Sequence, residues 1–214
     1  MAFLHEVLPV LWAGLWSTIR YALGSVALGF PVAVLLCTLR LSRRRPLAGC
    51  ATVYVSFFRG VPLLVQLLIA FYAVPALGVE VPPWAAGLFT LAFCTAAYMA
   101  EILRGGFLAI PHGQIEAAQI SGLTPGQILL HIQVPQAVRL TLPSLVNEAI
   151  TMVKASSLIS MVGVLDLTRA SQNMASSTLR PLACYALAGL LYLVVTASVA
   201  AAGQRLERAM AAGR

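Results

Sequence analysis

Glu148 is an acidic residue in the middle of an apolar segment, residues 140–165. A carboxylate at the centre of a membrane helix costs roughly 2.5–3.5 kcal/mol on insertion scales, so it should face protein or water rather than lipid. The helical repeat places Thr151 and Ala155 on the same side of the segment. This face predicts a pathway in which Glu148 attracts a cationic group. The alternative is a structural ion pair with another charged side chain: Arg20, Lys154 or Arg139.

Gln66 is a second polar side chain inside an apolar segment, residues 61–77. It is a lesser candidate for the same pathway. A hydrogen bond to a neighbouring helix is the favoured alternative, because amides in membrane helices often bond across helix pairs.

The other reactive residue types form no recognisable site. The four cysteines are scattered, and the three histidines lack metal-ligand spacing, so we expect no metal. There is no Gly-x-Ser-x-Gly, no His-Glu-x-x-His and no pair of intramembrane aspartates, which argues against an intramembrane enzyme. A Walker phosphate-binding loop needs Gly-Lys-Ser or Gly-Lys-Thr, and the only lysine of the chain, Lys154, stands between Val153 and Ala155. We therefore expect no bound nucleotide cofactor.

Composition places these residues in a bilayer. The chain has 214 residues, of which 60% are hydrophobic and only 10% charged, with a mean hydropathy of +0.88. Soluble domains carry about 25% charged residues. The net charge of +7 lies in short gaps between apolar runs, which is typical of loops beside anionic lipid rather than of a nucleic-acid site.

Hydropathy predicts an all-α integral membrane protein with about five transmembrane helices. Each span needs about 20 mostly apolar residues. The second predicted span could begin as early as residue 51 rather than at residue 61. We also expect the first helix to be retained rather than cleaved as a signal peptide, because no positive segment precedes it. The predicted spans are residues 11–39, 61–77, 84–103, 140–165 and 181–202.

The arginines predict that the N-terminus lies outside and the C-terminus in the cytoplasm. In that orientation only Arg169 and Arg180 lie in external gaps, as the positive-inside rule requires. An odd number of spans without an inverted repeat disfavours a self-contained secondary transporter. We therefore expect a second copy or a partner. The internal arginines are Arg40, Arg43, Arg44, Arg45, Arg59, Arg104, Arg139, Arg205, Arg208 and Arg214.

Residues 104–139 are too polar to span and predict two short helices outside the membrane. Pro111 sets the start of the first helix, and Gly122 suits the left-handed residue that ends it. Thr124 is a good N-cap, with Gln127 at the capping-box position, and Pro135 is expected to stop the second helix. The predicted apolar face of this pair consists of Ile115, Ala118, Ile128 and Ile132.

This loop resembles the EAA loop of ABC importer permeases. Glu116-Ala117-Ala118, then Gly122, Ile132 and Pro135, follow that family's order and spacing, although Val134 replaces the usual Leu. Further stretches resemble the polar amino-acid uptake permeases and extend the resemblance over roughly residues 12–205. They are Phe58 to Gln66, Tyr98 to Gly106, Pro111 to Gln114, Asn147-Glu148, Lys154 to Leu158, and Gly163 to Leu167.

The resemblance implies a permease domain over residues 1–214, with a coupling loop at about 105–139, in a bacterial inner membrane. It implies that ATP is bound by a partner, a cytoplasmic ATPase dimer that receives the loop. A second permease chain, identical or related, and an external amino-acid-binding protein are the other implied partners, and lipid surrounds the spans. The polar stretch near Ser171-Gln172 is expected to form an external helix that could meet the binding protein.

One departure from the family pattern bears on substrate choice. Relatives often carry Asp after the lysine, whereas this chain has Ala155. The missing carboxylate mildly disfavours basic amino acids. The competing class is a channel or secondary transporter without an ATPase, which has no need of the loop from Glu116 to Pro135.

Overall fold

The computed structural model describes residues 2–211, and Arg214 of the charge count lies outside them. Helix α1, Ala2–Arg40, is 39 residues long. At 1.5 Å per residue it measures about 58 Å, nearly twice the roughly 30 Å hydrocarbon core. Helix α1 begins well before residue 11, the predicted start of the first span. Pro9 and Pro31 both lie within it.

The second predicted span is broken rather than straight. Helix α2, Arg45–Gly60, is followed by α3, Leu63–Leu68, and the stretch Leu63–Ala76 that begins with α3 is bent by 106° from α2. Val61, which precedes Pro62, has extended dihedrals, as the residue before a proline prefers. From α3 the chain continues through a π-helical turn, Ile69–Ala73, into α4, Val74–Ala76. The sequence placed this segment but missed the break.

The remaining helices follow in chain order. Helix α5 is the central one, and α9 is a short helix between two spans. A 3₁₀ segment, Ser156–Val162, follows α8. The helices are α5, Pro83–Leu108; α6, His112–Ile120; α7, Pro125–Ile128; α8, Val134–Ala155; α9, Leu167–Thr178; and α10, Pro181–Ala211.

Pro135 does not stop the second loop helix, contrary to the prediction. Helix α7 passes through a π-helical turn, Leu129–Gln133, directly into α8. In that turn the Val134 N–H bonds the carbonyl of Leu129, five residues back. The wider turn moves the carbonyl that a proline ring would meet in an α-helix, so Pro135 is tolerated. The fourth span therefore belongs to a helix that begins at Pro125, not near residue 140.

Within residues 3–210, four helices are long and apolar enough to cross a membrane, and five spans result if the bent pair counts as one. The predicted all-α membrane fold with about five spans is confirmed. Close packing around α5 depends on small residues, as is usual between membrane helices. A Cβ on Gly29 of α1 would lie 2.8 Å from the Ala92 carbonyl oxygen, and one on Gly106 would lie 2.8 Å from that of Ala137.

Candidate functional site

The coupling loop has the local geometry that its sequence predicts. Gly122 follows α6 with a φ of +80°, and the Leu123 and Gly122 N–H groups bond the carbonyls of Ala118 and Gln119 at 3.1 and 3.0 Å. This pair of hydrogen bonds is a Schellman motif. Glycine suits the position because a side chain there is strained in the left-handed region.

The capping box that opens α7 is also confirmed. The Gln127 N–H donates to Thr124 Oγ1 at 3.4 Å, and the Thr124 N–H donates to Gln127 Oε1 at 2.9 Å. Both ends of the turn between the loop helices are therefore fixed by hydrogen bonds. The loop is an ordered element rather than a flexible connection.

The two loop helices bury one face and expose the other. Ala118 and Ile128 are buried, whereas Ile115 and Ile132 are half-buried. Glu116 and Ala117 are exposed, and Glu116 lies beyond the first turn of α6, where a charge gains little from the helix dipole. Pro135 is exposed. These placements leave Glu116 and Ala117 free to contact another protein.

Glu148 is buried and has no hydrogen-bond partner. Its side chain is 8% exposed, and Oε1 bonds nothing among the described residues. The predicted alternatives for an ion pair are not formed, because every ion pair found within residues 3–210 involves Glu101. Arg20 instead lies over the ring of Trp16, 5.7 Å from its centre. Cys94 and Tyr98 of α5, and Arg59 of α2, are near enough to interact with the charge of Glu148.

Gln66 holds the broken span together. Its Nε2 donates to the carbonyls of Phe58 at 2.9 Å and Val61 at 2.7 Å, which end α2 without helical partners. Cys94 Sγ lies 3.8 Å from the same Phe58 carbonyl oxygen. Gln66 Oε1 is buried and unbonded, like Glu148 Oε1. Gln66 and Glu148 are therefore both buried polar side chains with one unsatisfied oxygen acceptor.

A polar stripe runs along the exposed side of α8. Thr151 belongs to it and donates a hydrogen bond to the Asn147 carbonyl at 2.9 Å, and Ala155 beside it is half-buried. Glu148 and Met152 of α8 are both buried whereas Thr151 is exposed, so the stripe lies beside the face of Glu148 rather than on it. The sequence reasoning missed Asn147 and Lys154 as members, although their helical spacing of three and four residues was a usable signal. The exposed stripe consists of Ser144, Asn147, Thr151 and Lys154.

Glu101 is the centre of a satisfied charge cluster. It accepts hydrogen bonds from Arg40 at the end of α1 and from Arg104, whose Nε lies 2.8 Å from Oε1. Arg59 Nη1 lies 3.8 Å from Oε2, and its guanidinium lies 5.5 Å from the centre of the Tyr98 ring. The cluster ties α1, α2 and α5 together.

The predicted helix near Ser171 is present as α9, but Ser171 is not on its surface. Ser171 is buried and donates to the Leu167 carbonyl at 2.9 Å, and Gln172 is half-buried. Asp166 caps the helix by accepting the Arg169 N–H at 2.8 Å, and burial raises the pKa of this carboxyl despite that bond. The Thr18 hydroxyl accepts the Leu167 N–H at 3.1 Å, so α9 is fixed against α1.

Comparison with known proteins agrees with this membrane fold and ordered loop. The sequence matches the family described as "binding-protein-dependent transport system inner membrane component" over residues 25–212, and the chain belongs to this family. It is 39% identical to the octopine transport system permease protein of Rhizobium meliloti, over 90% of this chain and 82% of that protein. It is 33% identical to the arginine transport system permease protein of Bacillus subtilis, over 94% and 92% of the two chains.

Solved structures give the same result for the fold. A structure of an amino acid ABC transporter with histidines aligns with a TM-score of 0.86 and 33% identity, covering 96% of both chains. An inward-facing structure of a methionine ABC transporter aligns with a TM-score of 0.74 at 23% identity, which supports the fold alone.

Proposed function

We propose that this chain is the permease subunit of an ABC importer for polar amino acids, and that α8 both lines the pathway and receives the coupling movement. The main observation in support is that one continuous helical segment, from Pro125 to Ala155, joins the coupling loop to the polar stripe and to Glu148. The relatives named above, which are permeases for octopine and arginine, support transport of this chemical class.

The polar stripe supports a pathway shared with a second permease chain. Three polar side chains and Lys154 on a membrane helix cannot face lipid without a large desolvation cost. In the isolated chain they are exposed. A second copy, or a related permease, placed against this side of α8 would enclose a water-filled route along the stripe.

Glu148 and Gln66 supply acceptors suited to the ammonium group of an amino acid. Each has a buried, unbonded side-chain oxygen. A buried carboxylate without a partner is unfavourable, and an ammonium group with three N–H donors removes that penalty while bound. Because position 155 is alanine, no second carboxylate stands nearly two helical turns further on to select a basic side chain.

The coupling loop presents a surface for a cytoplasmic ATPase. Ile120 is 88% exposed and Leu130 62% exposed. Neither lies in a span predicted from hydropathy, so lipid would not cover these apolar side chains. Glu116, Ala117, Gly122, Ile132 and Pro135 lie in the same loop, with Ala118 buried beneath them as packing. An ATPase groove would cover the apolar side chains, and Glu116 offers it a charged contact.

Transport then follows from the continuity of the helix. ATP closes an ATPase dimer, the loop moves with it, and the rigid segment carries that movement to the polar stripe. An external binding protein shifts this equilibrium only as far as it prefers one state over the other. In this proposal the N-terminus is outside and the C-terminus in the cytoplasm of a bacterial inner membrane.

Affinity purification and uptake together test the proposal. A tagged chain is purified from its native membrane, its companions are identified by mass spectrometry, and uptake of labelled polar amino acids is measured in cells. We expect an ABC ATPase to co-purify. Replacement Gly122→Val forces a β-branched residue to a φ of +80° and is expected to remove the ATPase and the uptake.

The matched control is Gly78→Val. Gly78 has a φ of +86° and equally open space around it, but it lies in the turn between α4 and α5, away from the loop. It should keep the ATPase. Retention of the ATPase with full uptake in the Gly122→Val variant would refute the coupling role.

A further inference from the structure

A cavity lies where α10 ends beside the coupling loop, next to the part of α8 that precedes the polar stripe. The cavity has a volume of about 740 Å³ and is walled by the turn after α5, the start of α6, the first turns of α8 and the last turns of α10. Sites for small organic ligands commonly measure about 300–1,000 Å³. The space is therefore large enough for a small molecule or a lipid headgroup.

Opposite charges face this cavity without neutralising each other. Arg139 of α8 and Glu207 of α10 both line it, yet they form no ion pair within residues 3–210, where the pairs found all involve Glu101. Gln114 of α6 and Gln136 of α8 add amide groups to the wall. Met210 supplies an apolar surface beside them.

This combination selects against singly charged ligands. An anion bound to Arg139 would be repelled by Glu207, and a cation bound to Glu207 would be repelled by Arg139. A ligand with both charges satisfies both side chains, and charge-assisted hydrogen bonds are about twice as strong as neutral ones. The amides can complete the remaining donors and acceptors.

We propose that this cavity binds a small zwitterion, with its anionic group on Arg139 and its ammonium group on Glu207. Two sources carry this chemistry: a free α-amino acid in the cytoplasm, or a phospholipid headgroup with a phosphate and a primary ammonium. Because Gln114 belongs to α6, an occupied cavity bears directly on the position of the coupling loop. The site is separate from Glu148, and only its cytoplasmic placement rests on the proposed function.

Binding to the purified full-length chain tests the inference without any transport. The chain carries Glu148→Gln, so that the pathway residue does not contribute. One arm measures equilibrium binding of labelled L-glutamine, with 4-carbamoylbutanoate, which is glutamine without its ammonium group, and an alkylamine as singly charged competitors. The other arm uses native mass spectrometry to compare retention of phosphatidylethanolamine with that of phosphatidylglycerol.

We expect saturable binding in at least one arm, with the zwitterion preferred over its singly charged comparators. Arg139→Gln and Glu207→Gln should each weaken it at least about tenfold, since each removes a charge-assisted contact. Arg208→Gln serves as the control, because Arg208 lies on the same end of α10 and does not line the cavity. It should leave binding unchanged.

A variant with the two charges exchanged distinguishes loss of binding from misfolding of the single variants. The variant carrying Arg139→Glu together with Glu207→Arg restores one charge of each sign and is expected to recover zwitterion binding. Three results would overturn the proposal: no saturable binding in either arm, equal binding of a singly charged comparator, or binding that survives both single substitutions.

Discussion

Glu101, Asp166 and Glu148 are carboxylates in three different environments. Glu101 is surrounded by arginines from its own helix and two neighbouring helices. Asp166 accepts a backbone N–H at the start of α9. Glu148 is also buried, yet one of its oxygens has no partner. The comparison separates two acids whose contacts hold the fold together from one whose carboxylate is left partly unsatisfied.

The largest expected effect follows from neutralising the unpartnered acid. Glu148→Gln should lower amino-acid uptake roughly ten- to hundredfold, since a hydrogen bond to a charged group contributes about 1.5–3 kcal/mol. Stability should be unchanged or slightly raised, because the substitution removes an unpaired buried charge. Uptake assays and thermal unfolding of the purified chain check the two halves. Normal uptake with normal membrane levels would remove Glu148 from the pathway.

The reverse pattern is expected for the satisfied acid. Glu101→Gln leaves Arg40 and Arg104 without a carboxylate and should destabilise the chain by about 2–3 kcal/mol, less than a fully buried pair because the cluster is partly exposed. Thermal unfolding and the amount in the membrane measure this loss. Uptake per molecule should fall far less than for Glu148→Gln. If stability is kept while uptake disappears, the contrast between the two acids is wrong.

A smaller loss of stability is expected at the broken span. Gln66→Leu leaves the Phe58 and Val61 carbonyls unbonded, and each unsatisfied buried group costs about 1–3 kcal/mol before local relaxation or water. We expect a lower melting temperature and faster hydrogen exchange around residues 58–66. Gln204→Leu is the control, since Gln204 is exposed on α10. Equal melting temperatures for the two variants would argue against a capping role for Gln66.

The smallest effect concerns pH and Asp166. Burial raises the pKa of its carboxyl above the ordinary value of 3.8, so the folded state holds the proton more tightly than the unfolded state. This contribution is complete below pH 3.8 and is lost as the pH rises through the folded pKa. Asp166→Asn keeps the helix cap and should become more stable relative to wild type across that window. A constant stability difference at all pH values would contradict this sign.

The sequence predicted the coupling loop better than the spans around it. Gly122, Thr124 and Gln127 act through contacts within four residues, so turn and cap preferences were sufficient there. The prediction for Pro135 was wrong because the helix accommodates this proline only through a π-helical turn, which local residue preferences do not predict. The general rule for proline failed at the position where two helices become one.

The site was predicted in its residue types and not in its arrangement. The position of Glu148 within an apolar segment identified it as exceptional without any structure. The surroundings of Glu148 could not be inferred, because Cys94 and Tyr98 lie near it only through the packing of α5 against α8. The charge cluster at Glu101 likewise needs α1 and α2 side by side.

The most direct test of the central claim interrupts the helix between the coupling loop and Glu148. Three glycines inserted after Val138 should leave the ATPase bound and hydrolysing ATP in proteoliposomes while ATP-driven amino-acid uptake is lost. The same insertion after Gly78, in the turn between α4 and α5, should leave uptake intact. Wild-type uptake with the insertion after Val138 would contradict the claim that this helix transmits the movement.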